Sequence, residues 1–373
     1  MTTDAVALTR SLLHFDTVNP PGNERDCARW AGAMLQELGF SVEYHEYEEG
    51  RTSVVARAGG AGERAPLCLT GHIDVVPLGT RPWSRDPFRG ETDGDKLYGR
   101  GTSDMKAGVA AMLVAVRNLA KKLPGTPGIV LVLTAGEEGG CIGSKHLARA
   151  QVLGKAGAMV VGEPTSNYPM VGHKGSLKFY ATFRGVSAHG SMPELGVNAV
   201  YKAANAVSRL EFFDFHAADH PIMGGPTLNV GTIEGGSGIN LVPDRAKIGI
   251  DIRTVPGVDH EKLIQRLRAL LGADTELDVL SDLPPVWTAP DTEWVQRVYE
   301  IAKPYVGEAP KPKAATYMTD AANLLTAYRG APTVVLGPGE AAQAHQTDEH
   351  ASMERIRQSV EIYEKIIRDW CKI

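Results

Sequence analysis

Hydrophobic and polar positions follow two different rhythms along the chain, and the change from one to the other predicts its domains. Thr9 to Leu38 carries apolar residues at helical spacing around Pro20-Pro21-Gly22, which predicts two helices flanking a turn. Phe40 to His45 alternates apolar and polar residues and reads as a strand. Three runs, 66–71, 128–134 and 157–162, are short, mostly apolar and bounded by Gly or Pro. Such runs suit strands buried on both faces of a parallel sheet. Between the first two of them, Asp104 to Leu123 is an Ala- and Val-rich stretch opening on an acidic N-cap, which predicts a crossover helix. The resulting βαβ pattern implies an α/β fold with a mainly parallel sheet covered by helices.

From Ser176 the rhythm changes. Leu177–Arg184 and Lys247–Arg253 alternate with a period of two, as antiparallel strands with one solvated face do. Asn198–Glu211 and His260–Leu271 are helical by spacing. A smaller α+β domain is therefore expected at residues 176–286, inserted into a larger domain built from residues 1–175 and 287–373. The larger domain resumes with a buried strand at 332–337 and closes with a helix from Ser352 to Ile373. No internal repeat or low-complexity tract interrupts this pattern.

Composition narrows the function classes. The chain has 373 residues, 43% apolar and 22% charged, close to globular averages. A formal net charge of -5 without a basic run argues against a nucleic-acid partner, which needs clustered Lys and Arg to replace counterions. The N-terminus lacks the basic and apolar regions of a signal peptide, and no apolar stretch approaches the roughly 20 residues that span a bilayer. Cys27, Cys68, Cys141 and Cys371 are scattered without a CxxC pair and read as reduced, packed thiols. The expectation is a cytoplasmic protein with a small-molecule partner and no contact with a membrane.

Open α/β sheets bind ligands beyond the carboxyl ends of their strands. In this chain metal-binding residue types fall there repeatedly: His72 and Asp74, Glu137 and Glu138, Glu163, and His345 beyond a Gly-Pro-Gly loop. Asp104 follows Gly99-Arg100-Gly101-Thr102-Ser103, a loop with enough glycine to bring backbone close to a bound ion. So many carboxylates need counter-charge, since a buried unpaired one takes up a proton instead. A pair of divalent cations supplies it, and the mixture of His with Asp and Glu suits zinc, with cobalt able to substitute. In two-metal sites the ions lie about 3.5–4 Å apart and share a bridging carboxylate, for which Asp104 is the candidate. Glu138 reads as a ligand and Glu137 as a free general base, while Asp74 is placed to orient His72 through its other ring nitrogen. His345 is preferred to His350 because it follows the glycine loop, and His173 reads as a hinge residue.

The motifs 71–77 (GHIDVVP), 97–108 (LYGRGTSDMKAG), 135–139 (AGEEG) and 162–165 (GEPT) resemble those of the dinuclear-zinc deacylase and exopeptidase family, in order and spacing, over nearly the whole chain. That family includes acetylornithine deacetylase and succinyl-diaminopimelate desuccinylase. The resemblance implies that His72, Asp104 and Glu163 bind one zinc, and Asp104, Glu138 and His345 the other. It implies hydrolysis of the amide bond of a small N-acylated amino acid or a dipeptide. His189, in the Gly185–Gly190 segment, is similar to a lid histidine that holds the oxyanion and, in dimeric members, reaches the neighbouring subunit's site. Asn240 and Arg253 resemble positions that bind the substrate carboxylate, a task suited to a guanidinium fork. A homodimer through the inserted domain is expected. Residues 226–231, 251–257 and 336–349 look most like acetylornithine deacetylase, but Met318-Thr319-Asp320 stands where that branch has Cys-Thr-Glu. The triplet places an acid near the pocket wall and leaves desuccinylase or dipeptidase specificity as the alternative.

Overall fold

The computed structural model describes residues 4–373. Its contacts form two compact units, one running up to His173 and again from Val286, the other Lys174–Pro285. The insertion read from the sequence was 176–286.

The first unit opens with α1 (Ala5–Leu13), capped by the Asp4 carboxylate accepting from the Val6 N–H. It continues through α2 (Arg25–Glu37), β1 (Ser41–Glu48), β2 (Arg51–Ala58), β3 (Leu67–His72), α3 (Ala107–Leu119), β4 (Ile129–Thr134), α4 (Ile142–Arg149) and β5 (Ala158–Val161). The second unit contains β6 (Gly175–Arg184), α5 (Ala199–Leu210), β7 (Thr227–Gly235), β8 (Arg245–Thr254), α6 (His260–Leu271) and β9 (Glu276–Leu283). The chain then returns to the first unit with α7 (Glu293–Val306), α8 (Ala321–Ala327), β10 (Thr333–Val335) and α9 (Met353–Cys371).

The sheet of the first unit has the order β1-β2-β4-β3-β5-β10. Its β4, β3, β5 and β10 run parallel, with β2 antiparallel to β4 and β1 antiparallel to β2. All six residues of β3 and all six of β4 are buried, which is why both read as unbroken apolar runs. Helix α3 buries all but two of its 13 residues. Small side chains bring it close to the sheet: a Cβ on Gly108 would lie 2.2 Å from the Gly162 carbonyl oxygen. Gly108→Ala would gain up to about 1 kcal/mol of helix propensity, but the overlap is with rigid backbone. The net expected change is a loss of about 1–3 kcal/mol, read as a lowered Tm. An unchanged Tm would mean that α3 can move away from the sheet freely.

One expectation is corrected here. The crossover helix begins at Ala107, not at Asp104, which has φ -123° and ψ 94° and does not cap it. Its carboxylate is engaged elsewhere, as described below.

The second unit is a four-stranded antiparallel sheet, ordered β7-β8-β6-β9. One face presents Leu177, Phe179, Ala181, Phe183, Ile248, Ile250 and Ile252 to a core shared with α5 and α6. The alternate positions, including Lys178, Tyr180, Lys247, Asp251 and Arg253, occupy the other face, giving the period-two pattern its cause. Among the described residues, no helix is long and apolar enough to cross a membrane.

Candidate metal centre

Because β3, β4, β5 and β10 are parallel, their carboxyl ends share one edge, and the residues beyond them converge there. His72 ends β3 and is buried. Glu137 and Glu138 lie in the turn after β4, Glu163 follows β5, and the loop after β10 reaches His345. Asp104 completes the cluster from the loop preceding α3. Its Oδ1 lies 3.1 Å from His72 Nε2, and its Oδ2 lies 3.4 Å from His345 Nε2. Glu163 Oε1 stands 3.8 Å from His72 Nε2, and Glu138 Oε2 3.1 Å from His345 Nε2. Donor atoms of His72, Asp104 and Glu163 all lie within 4.8 Å of one another, as do those of Asp104, Glu138 and His345. The two groups share only Asp104, each of whose oxygens faces one imidazole.

Electrostatics fit two cations. Burial raises Glu137 and Glu163 well above the ordinary carboxyl range, and neighbouring carboxylates push both further. Glu138 is raised too, by burial first. Burial also opposes ionisation of Asp104, but hydrogen bonds with His345 and His72 outweigh it and hold the carboxyl below its usual value. Those bonds, with Asp104 first and Glu138 second, raise His345 to about 10. Burial lowers His72, yet Asp104, Glu163 and Glu137 more than reverse this and leave it well above 6.5. Without metal, then, the raised imidazoles and the raised carboxyls both hold protons more tightly than free side chains do, which offsets part of the acids' charge. The nitrogen and oxygen donors suit zinc or another first-row ion in place of those protons.

A pH dependence follows. An ion held by His345 must displace that imidazole's proton, so metal uptake near pH 7–8 is expected to release protons. Apparent affinity should rise about tenfold per pH unit for each proton displaced, and the His345 contribution should level off above its value of about 10. Titration calorimetry in buffers of different ionisation enthalpy reads the proton count. An affinity independent of pH would mean that the imidazoles are already neutral.

The surroundings of the cluster hold its loops through hydrogen bonds and modify two expectations. Asp74 does not direct its carboxylate mainly at the imidazole: His72 Nδ1 lies 2.9 Å from the Asp74 main-chain oxygen and 3.6 Å from its carboxylate. The carboxylate instead accepts from the Glu137 and Glu138 N–H groups, each at 3.1 Å, and from Asn19 Nδ2 at 2.8 Å. Backbone N–H groups are the better match because they converge on both oxygens at once. Likewise, the glycine-rich loop before Asp104, with Gly101 at φ 89°, turns its N–H groups to the Glu349 carboxylate and not to an ion site. The N–H of Gly136, just before Glu137, is held by Glu24, which pairs with Arg51 in the interior. Glu24, Arg51, Asn19, Arg100 and Glu349 carried no role in the sequence reading. Cys141 is another addition, its Sγ 3.4 Å from Glu137 Oε1.

The remaining candidates belong to neither ligand group. His350 sits in a short strand, with Nδ1 3.1 Å from the Asp348 carbonyl and its ring against Tyr98. His173 is buried where the first unit ends. Asp320 is buried and accepts from the Thr134 hydroxyl, and its charge helps to raise Glu137. His189, Asn240 and Arg253 belong to the second unit. His189 pairs with Leu241, and the Gly190 N–H donates to the Asn240 carbonyl, so these two candidates are neighbours. Arg253 pairs with Asp251 at 3.0 Å.

With this geometry in place, comparisons identify the relatives. A model described as peptidase family M20/M25/M40 matches residues 68–369. Over 353 residues the chain is 32% identical to an acetylornithine deacetylase of Klebsiella pneumoniae, covering 90% of this chain and 88% of that one. It is 29% identical to a probable succinyl-diaminopimelate desuccinylase of Staphylococcus epidermidis, covering 98% and 97%. In fold it is similar to an M20 family metallo-carboxypeptidase of Sulfolobus solfataricus, with a TM-score of 0.81 at 19% identity and 100% of both chains covered. A family match across most of the chain, on a fold that gathers these acids and imidazoles at one sheet edge, makes this protein a member of peptidase family M20/M25/M40, a family of metal-dependent hydrolases.

Proposed function

We propose that the protein uses two zinc ions to hydrolyse the amide bond of a small N-acylated amino acid, as acetylornithine deacetylase does by name. The observation that carries this reading is the Asp104 carboxylate, one oxygen facing His72 and the other His345. His72, Asp104 and Glu163 hold one ion and Asp104, Glu138 and His345 the other, with cobalt able to replace zinc. When bound, such a pair polarises the acyl carbonyl and lowers the pKa of a shared water. Glu137, raised by burial and left out of both ligand groups, takes the proton from the attacking water and returns it to the departing amine. Asp74 positions His72 through its carbonyl and the Glu137–Glu138 turn through its carboxylate.

His189 supplies the oxyanion donor. The Ser191 N–H donates to its Nδ1 at 3.2 Å, which places the proton of the neutral ring on Nε2 and leaves that N–H for a ligand oxygen. Asn240 and Arg253 bind the substrate carboxylate. Within the inserted sheet they lie at opposite ends: the His189–Asn240 pair is beside the start of β8, whereas Arg253 pairs with Ser176 near its finish. Strand β6 alone rises about 30 Å between these ends, while a dipeptide spans about 7 Å. One copy therefore cannot bring both to one small substrate, which supports a homodimer in which each site takes His189 and Asn240 from the partner. The exposed edge strand β7 and the exposed side chains of Tyr201, Ile233 and Ile239 offer the surface for it. Four buried, unpaired thiols support a reducing, cytoplasmic setting.

The Met318-Thr319-Asp320 triplet favours a second reading for the amino-acid half. Met318 Sδ lies 3.3 Å from Cys141 Sγ, itself 3.4 Å from Glu137 Oε1, so an apolar thioether stands close to the proposed base, and a dipeptide or an acyl amino acid without a side-chain cation suits it better than ornithine. N-acetyl amino acids, N-succinyl amino acids and dipeptides, assayed with zinc and with cobalt, separate the readings. Two bound ions without hydrolysis of any of these compounds would refute both. His189→Ala is expected to lower turnover about 10²–10³-fold, and near wild-type turnover would remove it from the mechanism.

A further inference from the structure

Among the described residues, Glu349 is a buried acid outside the two ligand groups whose carboxylate accepts from four donors. Its Oε2 accepts from Arg100 Nη1 at 2.6 Å and from the Gly101 N–H at 3.0 Å. Its Oε1 accepts from the Ser103 N–H at 2.7 Å and from the Asp104 N–H at 3.0 Å. Three backbone donors of one short loop thus end on a single carboxylate, an arrangement only an anion satisfies throughout. Glu349 lies four residues beyond His345, and the same segment is stitched back at further points. The Gly99 N–H donates to the Glu349 carbonyl at 2.9 Å, and Arg100 reaches the Gln346 carbonyl at 3.2 Å and that of Pro77 at 3.1 Å. Ser103 Oγ donates to the His350 carbonyl at 3.0 Å and accepts from the Glu340 N–H at 3.0 Å.

We infer that Glu349 is a positioning residue that locks the Asp104 loop to the His345 loop and thereby sets the affinity of the Asp104–Glu138–His345 metal position. The inference rests on the two-metal reading above. A buried ion pair is weak evidence of a stabilising role, and the distribution of ligands shows what else this one does. His72 ends β3 and Glu163 follows β5, so the sheet itself holds them and only Asp104 of that group depends on Glu349. In the other group both Asp104 and His345 stand on the loops that Glu349 joins. Losing the strut releases one ligand of the first position and two of the second, so the second weakens selectively.

The test is metal binding to the metal-stripped full chain, titrated with Zn²⁺ against a competing chelator. His345→Ala first identifies which of the two affinities belongs to the second position. Glu349→Gln is then expected to weaken that same affinity about 10–100-fold, and about tenfold more than the other, which shares only Asp104 with it. Equal loss at both positions, or no loss at either, overturns the inference, because a strut serving stability alone moves the Tm without separating the sites. If Glu349→Gln does not fold, Arg100→Lys takes its place. It keeps a cation beside Glu349 but cannot reach the Gln346 and Pro77 carbonyls together, and it too must weaken the second position selectively. Absence of that selectivity in Arg100→Lys overturns the proposal. A wild-type chain that binds fewer than two ions overturns the two-metal reading itself, and the inference with it.

Discussion

Glu137→Ala is expected to lower turnover by about 10²–10⁴-fold, the range supplied by a positioned general base, while both metal affinities stay near wild type. The separation of effects follows from where the side chain stands. Glu137 is buried within reach of the cluster but belongs to neither ligand group, and its backbone N–H, which fixes the turn through Asp74, survives the substitution. Metal content measured beside kcat therefore distinguishes a lost proton carrier from a lost ligand. Loss of an ion in Glu137→Ala would reverse its assignment with Glu138.

Asp104→Ala should have the opposite signature. Its two oxygens face different imidazoles, so the substitution removes a donor from both positions at once. Both affinities are expected to fall by more than about 10²-fold, since even a partner one contact further from the metal typically costs 10–100-fold. Activity should fall to background and adding zinc should restore little of it. His72→Ala and His345→Ala are the controls, because each belongs to one group only. If Asp104→Ala retained one ion at wild-type affinity, the carboxylate would not bridge.

What was legible in the sequence and what was not have physical causes. The parallel strands were readable because burial on both faces permits only apolar residues, and His72, Glu137, Glu138 and Glu163 were conspicuous as polar groups at their ends. Strand β2 escaped notice because it begins Arg51-Thr52-Ser53, a polar run that is nevertheless buried. Arg51 is paired with Glu24, Thr52 bonds to Glu46, and Ser53 accepts from the Ala135 N–H. Glu24 and Ala135 are distant in sequence and leave no local sign, while Glu46 faces Thr52 across the β1–β2 hairpin. Helix α8 is short and rich in alanine, too little pattern to separate from a loop. Asp104 was read both as a helix cap and as a bridging ligand, because an acid before an alanine-rich run looks alike in either role. Only the long-range approach of His72 and His345 decides between them. Glu24 and Glu349 lie in polar stretches where an acid ordinarily faces water, so nothing local marks them as interior anchors.

The side chains of His72 and Glu163 are 1% and 5% exposed, whereas that of His345 is 52% exposed. Under the two-metal reading proposed above, dialysis against a weak competitor is expected to strip the ion of the His345 position first and leave half-loaded molecules.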